Sequence, residues 1–385
     1  MAVNRMVLNE TSYFGAGAIS VLPHEITRRG FRKALVVTDK VLLKIKVADK
    51  VLKLLDDNRL PYEIFSDVKE NPTIANVHAG LDAYKASGAD YLIAIGGGSS
   101  IDTAKAIGII INNPEHRDVK SLAGAFDTKK RSVPLIAIST TAGTAAEVTK
   151  NYVITDEERK VKFPCVDPND IPILAIVDAD MMSSMPPPLT ANTGMDALTH
   201  AIEGYIAKDV WEMTDLLNLK AIELIAKHLR KAVHENDVTA REGMALGQYL
   251  TGMGFSNGGL GIVHSMAHQL GGFYDTPHGI ANAVLLPFVM VYNAPYTGEK
   301  YRDIAKAMGV AGVDGMSQQQ YRDAAVGAVL QLSKDVGIPQ SLREINVREE
   351  DIPALAASAM EDGCTPGNPR PPSADDIIKI FHSAM

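Results

Sequence analysis

The first half of the chain alternates short apolar runs with amphipathic segments, and this alternation limits the fold more than any other feature. Continuous apolar runs such as Ala34–Thr38 and Tyr91–Ile95 are typical of strands that are buried on both faces of a sheet. The pattern predicts a mostly parallel sheet covered by helices, with strands at Ala34–Thr38, Tyr62–Phe65, Tyr91–Ile95 and Val133–Ile138 and helices at Lys44–Asp57, Ile74–Ser87 and Ile101–Asn112.

The second half of the chain has few strand-like runs and is dominated by helical patterns. The segment Met185–Pro188 contains three consecutive prolines, which neither a sheet nor a helix interior accommodates. A chain of 385 residues also exceeds the size at which one core stops growing. We therefore expect an α/β domain over residues 1–184 and an all-helical domain over 185–385, with helices at Met195–Ile206, Thr214–His228, Ala240–Met253, Val263–Gly271 and Gln318–Val336.

The composition narrows the class of protein. A net charge of −8 argues against binding to nucleic acid, which requires a basic patch. The N-terminus lacks the apolar region of a signal peptide, and no apolar stretch reaches the length of a membrane span, so we expect a cytoplasmic protein. The two cysteines, Cys165 and Cys364, form no disulfide framework and are most simply buried thiols.

Histidines and one aspartate are concentrated in two segments of the second half. Asp196 and His200 are four residues apart, so they share one face of the predicted helix. Alone, this pair is equally compatible with a capped core helix. His264 and His268 have the same spacing on another predicted helix, and His278 follows in what we expect to be a loop of proline and glycine.

Three of the ten histidines therefore fall within fifteen residues, in a setting that is otherwise apolar. Together with the Asp196–His200 pair they predict a divalent metal site. The set contains no thiolate, so it suits iron, zinc, manganese or cobalt. The spacing leaves open which of the three histidines stays outside the first coordination shell.

Two polar loops follow predicted strands and indicate a nucleotide site. The turn Gly96–Gly98 lies between a strand and a helix, where backbone N–H groups and the helix dipole favour a phosphate. A second loop, Ser139–Thr144, is rich in hydroxyl groups. Asp39 follows the first strand, where a carboxylate can bind ribose hydroxyls and favour NAD over NADP. A plain turn and an ordinary helix cap remain the alternatives for Gly96–Gly98 and Asp39.

With these residues assembled, the chain resembles the iron-dependent (group III) alcohol dehydrogenases almost from end to end. The motifs that carry the resemblance are GGGS at Gly96–Ser99, TTAGTAAE at Thr140–Glu147, MDALTHAIE at Met195–Glu203, and VHSMAHQLGG with a following PHG within Val263–Gly279. The resemblance implies the dehydroquinate synthase-like fold of that family, with an N-terminal dinucleotide-binding α/β domain and an all-helical metal-binding domain.

The resemblance also implies roles for particular residues. It assigns Asp196, His200, His264 and His278 to ferrous iron. Divalent affinity rises from iron towards zinc, so we expect that zinc can substitute for iron. It leaves His268 as a candidate for proton transfer. Asn151, Phe255 and Cys364 would line the substrate pocket. The residues expected around NAD are Asp39, Asn71, Gly97, Gly98, Ser99, Thr140, Thr141, Thr144 and Lys162.

The predicted activity is hydride transfer between NAD and a small alcohol or aldehyde. Several segments are close to a branch of the family that interconverts lactaldehyde and 1,2-propanediol, so we expect that substrate pair. The alternatives are ethanol, glycerol or 1,3-propanediol on the same fold, and, more distantly, a metal-dependent lyase of the dehydroquinate synthase type. The resemblance also implies a homodimer formed by exchange of the N-terminal strand around Met6–Phe14.

Overall fold

The computed structural model describes residues 3–125, 127–159 and 161–385. The described chain divides into two compact units. The first contains the residues up to Thr141 together with Ala145–Met185. The second contains Ala142–Thr144 and Pro186–Met385.

The first unit is built on a six-stranded, entirely parallel sheet with the strand order β1-β9-β6-β4-β2-β3. A second, three-stranded sheet has the order β5-β8-β7 and contains an antiparallel β7–β8 pair. The strands are β1 Thr11–Phe14, β2 Ala34–Val37, β3 Tyr62–Phe65, β4 Tyr91–Gly96, β5 Gly124–Ala125, β6 Leu135–Ser139, β7 Asn151–Asp156, β8 Val161–Val166 and β9 Leu174–Val177.

Helices cover both faces of the large sheet. Side chains alternate along each strand, so Val37 and Ala94 pack into the core on one face, whereas Val36 and Ile93 pack into the core on the other. This arrangement explains why the central strands β2, β4 and β6 are continuous apolar runs in the sequence. The helices of this unit are α1 Leu22–Arg29, α2 Lys40–Lys44, α3 Asp49–Asp57, α4 Ile74–Ser87, α5 Gly98–Asn112 and α6 Ala179–Met182.

The continuous helix expected over Lys44–Asp57 is wrong in one respect, because the structure has two helices here. The short helix α2 ends at Lys44, and α3 begins only at Asp49. Between them Lys46 has a φ of 62°, a left-handed conformation that no continuous α-helix accommodates. The apolar spacing of Val47 and Val51 survives because both side chains are buried in the core.

The second unit contains no strand among its described residues. Its first helix begins at Pro187 and Pro188, which fit the first turn because the N–H groups there need no helical partner. Together with the parallel sheet of the first unit, this confirms the predicted fold class. The helices are α7 Pro187–Ile206, α8 Glu212–His234, α9 Val238–Gly258, α10 Ile262–Tyr274, α11 His278–Asn293, α12 Lys300–Ala307, α13 Gln318–Asp335, α14 Ile352–Met360 and α15 Ala374–Ala384.

One segment, His278–Tyr296, is long and apolar enough to cross a membrane by length and composition alone. Its mean hydropathy is 1.2, and 61% of it is buried within the protein. Leu285 and Leu286 at its centre are fully covered. The segment therefore packs as a core helix of the second unit.

Candidate metal and cofactor sites

Three helices of the second unit bring one carboxylate and three imidazoles together. Asp196 and His200 lie one turn apart on α7, His264 lies in the first turn of α10, and His278 opens α11. One ligand atom from each residue can be chosen so that all four lie within 4.8 Å of one another. Asp196, His200 and His264 are buried, whereas His278 is partly exposed. His278 is therefore the one member of this cluster that is partly open to solvent.

The position of His278 differs from the expected loop. His278 is the first residue of α11, and Pro277 precedes it as the N-terminal cap residue. The following Gly279 lets this helix start lie directly against α7, since a Cβ there would come within 2.4 Å of the Asn192 carbonyl oxygen. The sequence Pro-His-Gly thus begins a helix, and it sets the imidazole of His278 beside Asp196.

Asn282 sits one turn beyond His278 and points into the cluster. Its Nδ2 donates to Asp196 Oδ1 at 2.7 Å and lies 3.2 Å from His264 Nε2 and 3.0 Å from His278 Nε2. An amide nitrogen has two hydrogens and cannot serve three acceptors. Acceptors that converge on one point are what a divalent cation requires, so the donor set fits a metal ion.

Burial favours the uncharged forms of these ligands in the absence of a cation. It raises the pKa of Asp196, although His200 and Asn282 oppose that rise. It also lowers the pKa of His200 and lowers that of His264 well below the usual value. Neutral imidazoles are the form that binds metal, and a buried carboxylate needs a compensating positive charge.

Glu203 is a functional residue that the sequence analysis missed. Its carboxylate accepts from His264 Nδ1 at 2.6 Å, which leaves Nε2 of that ring facing the cluster. The same carboxylate accepts the backbone N–H groups of Gly261 at 3.1 Å and Val263 at 2.7 Å, at the start of α10. Burial raises the pKa of Glu203 to about 7, and these N–H donors oppose the rise. One carboxylate thus caps the helix and orients the candidate ligand His264.

We expect Glu203→Gln to weaken metal binding about 10- to 100-fold. The amide nitrogen of glutamine is a donor, so it cannot accept the hydrogen bonds that the carboxylate of Glu203 now accepts from N–H groups. The measurement is the metal dissociation constant from competition with a chelator. Glu223→Gln is the matched control, since Glu223 lies on α8 with 53% of its side chain exposed and pairs with Lys220. Equal affinities for the two variants would contradict the orienting role of Glu203.

His268 stands beside the four-residue cluster but not in it. Its ring stacks on His278 with centroids 5.3 Å apart. Its Nδ1 lies 2.9 Å from Asp362 Oδ2. Like Glu203, Asp362 is an acidic partner of a histidine that the sequence did not reveal. Asp362 also accepts from the backbone N–H of Cys364 at 2.9 Å. Burial alone would raise the pKa of Asp362, but the neighbouring His268 holds it below its usual value.

The three residues expected to line the substrate pocket lie in different units. Phe255 on α9 stacks on the ligand candidate His200, with ring centroids 4.4 Å apart. Cys364 follows α14 in the same unit, and burial raises the pKa of its thiol well above the usual value. Asn151 is the first residue of β7 in the other unit, where its carbonyl oxygen accepts from Lys105 at 2.8 Å.

The two polar loops expected to bind the cofactor are neighbours at the carboxyl edge of the large sheet. Gly96 ends β4 and is paired with Ser139, the last residue of β6. The Thr140 N–H donates to the Gly96 carbonyl at 3.0 Å. A Cβ on Gly97 would lie 2.9 Å from Thr141 Oγ1, so glycine leaves the start of α5 open. The order in which successive strands are added to this sheet reverses between β2 and β4, because β3 lies on one side of β2 and β4 on the other. Nucleotides bind at such a reversal point in folds of this kind.

The other predicted cofactor residues of the first unit gather near the same edge. Asp39 follows β2 and caps α2, because its Oδ1 accepts from the Leu42 N–H at 2.9 Å. Lys162 donates to Asn71 Oδ1 at 2.8 Å, so these two candidates are direct partners. The Ser99 hydroxyl donates to the Glu70 carbonyl. Thr144, by contrast, belongs to the second unit.

A parallel sheet with an open glycine turn and a helical unit with an Asp–His cluster fit an enzyme that uses a nucleotide and a metal ion. Comparisons with known proteins specify the class further. Residues 9–179 match the family model described as iron-containing alcohol dehydrogenase. Residues 190–385 match that of the C-terminal part of the Fe-containing alcohol dehydrogenase family.

Relatives match along the whole chain. The lactaldehyde reductase of Escherichia coli (strain K12) is 61% identical over 381 residues, 99% of each protein. The 1,3-propanediol dehydrogenase of Citrobacter freundii is 44% identical over 377 residues, 97% of each. A crystal structure of a 1,3-propanediol oxidoreductase superposes with a TM-score of 0.97 at 43% identity and covers 100% of both chains.

The chain belongs to the iron-containing alcohol dehydrogenase family. It is an alcohol dehydrogenase, and membership in this family implies an iron-type metal and, in general, NAD as cofactor. The resemblance deduced from the sequence motifs is thereby confirmed.

Proposed function

We propose that the protein interconverts lactaldehyde and 1,2-propanediol by hydride transfer with NAD and ferrous iron. The observation that carries the metal-dependent part is the convergence of Asp196, His200, His264 and His278 on one point, with Asn282 donating into it. The choice of substrate is supported by the 61% identity to a lactaldehyde reductase over 99% of both chains.

In this proposal the four clustered side chains hold the metal. Iron bound there would supply Lewis acidity toward the carbonyl or alcohol oxygen. The buried Asp196 balances the charge of the ion, and Glu203 keeps Nε2 of His264 available for it. Divalent affinity rises from iron to zinc, so zinc can also occupy this donor set.

His268 is proposed as the proton-transferring side chain. Asp362 accepts from Nδ1 at 2.9 Å and so orients the ring. The ring lies against His278 and is thus close to the metal ligands without being one of them. Phe255 would form an apolar wall beside His200. Asn151 and Cys364 complete the residues proposed to line the substrate pocket.

The cofactor is proposed to bind at the carboxyl edge of the parallel sheet. Gly97, Gly98 and Ser99 at the start of α5 would receive the pyrophosphate, since a helix N-terminus and open backbone N–H groups favour anions. The carboxylate of Asp39 would accept from the ribose hydroxyls. The other residues proposed to contact NAD are Asn71, Thr140, Thr141, Thr144 and Lys162.

We expect Asp39→Asn to relax the preference for NAD. Asparagine can still cap α2 through its side-chain oxygen, but it lacks the charge that repels the 2′-phosphate of NADP. The ratio of kcat/KM for NADH to that for NADPH should fall by about tenfold or more, the effect of about 1.4 kcal/mol. Asp49→Asn on α3 serves as the control. Equal use of both cofactors by the unmutated enzyme would contradict this role.

The substrate proposal is tested with a panel of small aldehydes and NADH on protein reconstituted with ferrous iron without air. Lactaldehyde should give the highest kcat/KM, above propanal, glycolaldehyde, glyceraldehyde and 3-hydroxypropanal. A higher value for 3-hydroxypropanal would favour the 1,3-propanediol alternative, which the 44% identity to such an enzyme keeps as the second candidate. No NADH oxidation with any aldehyde would contradict the proposed class of substrate.

We further propose a cytoplasmic homodimer with domains at residues 1–184 and 185–385. In the single chain β1 lies at the edge of the large sheet and pairs in parallel with β9. Strand exchange would pair β1 with the corresponding sheet of a second copy. Sedimentation equilibrium of the full chain and of a Tyr13→Pro variant tests this arrangement, since proline removes a strand N–H.

A further inference from the structure

A second group of metal-binding side chains lies next to the first. One ligand atom each from His268, Asp362 and Cys364 can be chosen so that all three lie within 4.8 Å of one another. Asp362 is the centre of this group, with Oδ2 2.9 Å from His268 Nδ1 and Oδ1 2.9 Å from the backbone N of Cys364. Only 11% of the His268 side chain and 5% of the Asp362 side chain are exposed.

The chemistry of this group differs from that of the four-residue cluster in one decisive way. It contains a thiol, and thiolates select zinc over the harder ferrous ion. One imidazole, one carboxylate and one thiolate are three of the ligand types that tetrahedral zinc accepts, and a fourth position would remain for water. We propose that His268, Asp362 and Cys364 form a second metal site that is selective for zinc.

The hydrogen bonds within the group favour this arrangement. The backbone N–H of Cys364 fixes the Asp362 carboxylate, and the same carboxylate lies 2.9 Å from Nδ1 of His268, so two candidate ligands are already held side by side. Binding of Zn²⁺ replaces the thiol proton of Cys364, which passes to solvent. No oxidation or reduction accompanies this step.

Zinc at this site has a consequence that rests on the proposed function. A zinc ion there would bind the imidazole of His268, which is proposed to transfer the proton, and the thiol of Cys364, which is proposed to line the substrate pocket. Because the thiolate makes the second site the preferred one for zinc, a single equivalent of zinc should inhibit the iron-loaded enzyme while iron stays bound to Asp196, His200, His264 and His278.

Cobalt is the probe that separates the two sites, because a thiolate bound to Co²⁺ gives a charge-transfer absorption band and an imidazole or carboxylate does not. Metal-free protein should bind two equivalents of Co²⁺ and show this band. Cys364→Ala should bind one equivalent without the band, whereas Cys165→Ala, which changes a thiol buried in the first unit, should keep both. His264→Ala should lose one equivalent and keep the band.

Absence of the band in the unmutated protein, or its persistence in Cys364→Ala, would overturn the proposal. Asp362→Asn is the second variant, and it should weaken the band-forming equivalent at least tenfold while the other equivalent stays bound. These measurements do not depend on the substrate, so they remain decisive even if lactaldehyde proves to be a poor one.

The inhibition is tested on iron-loaded holoenzyme with one equivalent of zinc. The expected result is loss of most activity with iron content unchanged by elemental analysis, and recovery when a weak chelator removes the zinc. Release of iron in proportion to the lost activity would show that zinc acts at the four-residue cluster, and it would contradict inhibition through the second site.

Discussion

Replacing His264 with alanine should remove the bound metal and lower turnover by about a thousandfold or more, the effect of losing several kcal/mol of Lewis-acid stabilisation. His264 is 1% exposed, and its Nδ1 lies 2.6 Å from Glu203. His200 and His278 already face the same point from other helices, so removal of His264 leaves Asp196 and two imidazoles in the cluster. The α/β unit should remain folded and should still bind NADH.

The measurements are iron content by elemental analysis, kcat with lactaldehyde, and NADH binding by fluorescence. His382→Ala is the control, since His382 lies on α15 of the same unit with 48% of its side chain exposed. Full activity in a His264→Ala protein that contains no metal would contradict the metal-dependent account.

Replacing His268 with alanine should lower kcat by about 10²- to 10⁴-fold, the usual contribution of a positioned acid or base, while iron content stays near that of the unmutated enzyme. The ring is held by Asp362 and stacks on His278, but it is not part of the four-residue cluster. Added imidazole should restore part of the activity, because it can supply the missing group.

His116→Ala in the first unit is the control for His268→Ala. If His268→Ala instead loses its iron, His268 acts as a ligand and the proposed division between the two clusters is wrong. If iron stays bound and kcat is unchanged, His268 takes no part in proton transfer.

The centre of the large parallel sheet could be predicted because β2, β4 and β6 are buried on both faces and are therefore continuous apolar runs in the sequence. The β7–β8 pair could not be predicted in the same way. Its outer positions are exposed or partly exposed, and Pro164 lies inside β8. A proline inside a run of strand-forming residues normally argues against a strand. Here Pro164 is nevertheless accommodated in β8 of the small sheet.

The helix α11 was missed for a related reason. His278 and Gly279 follow a proline, and Pro287 lies inside the helix, so local propensity favours a loop and a break. Burial overrides these preferences, since Leu285 and Leu286 are completely covered. The sequence identified His278 as a candidate ligand, but its place at a helix start depends on packing against α7.

The ligand candidates could be recognised because Asp196 and His200, like His264 and His268, are spaced one turn apart. The residues that orient them could not. Glu203 meets His264 across 61 positions of the chain, and Asp362 meets His268 across 94. Such pairs are set by how helices pack and leave no local pattern. The one hint in the sequence was that the MDALTHAIE motif ends in an acidic residue, Glu203.

This chain should transfer hydride between the nicotinamide and a small aldehyde only when its Asp–His cluster holds a metal. The most direct measurement uses NADH deuterated at the transferred position, lactaldehyde, and protein stripped of metal or reloaded with ferrous iron without air. We expect 1,2-propanediol with one deuterium at C1 from the iron-loaded protein and none from the stripped protein. Equal formation of deuterated product by both proteins would contradict this expectation.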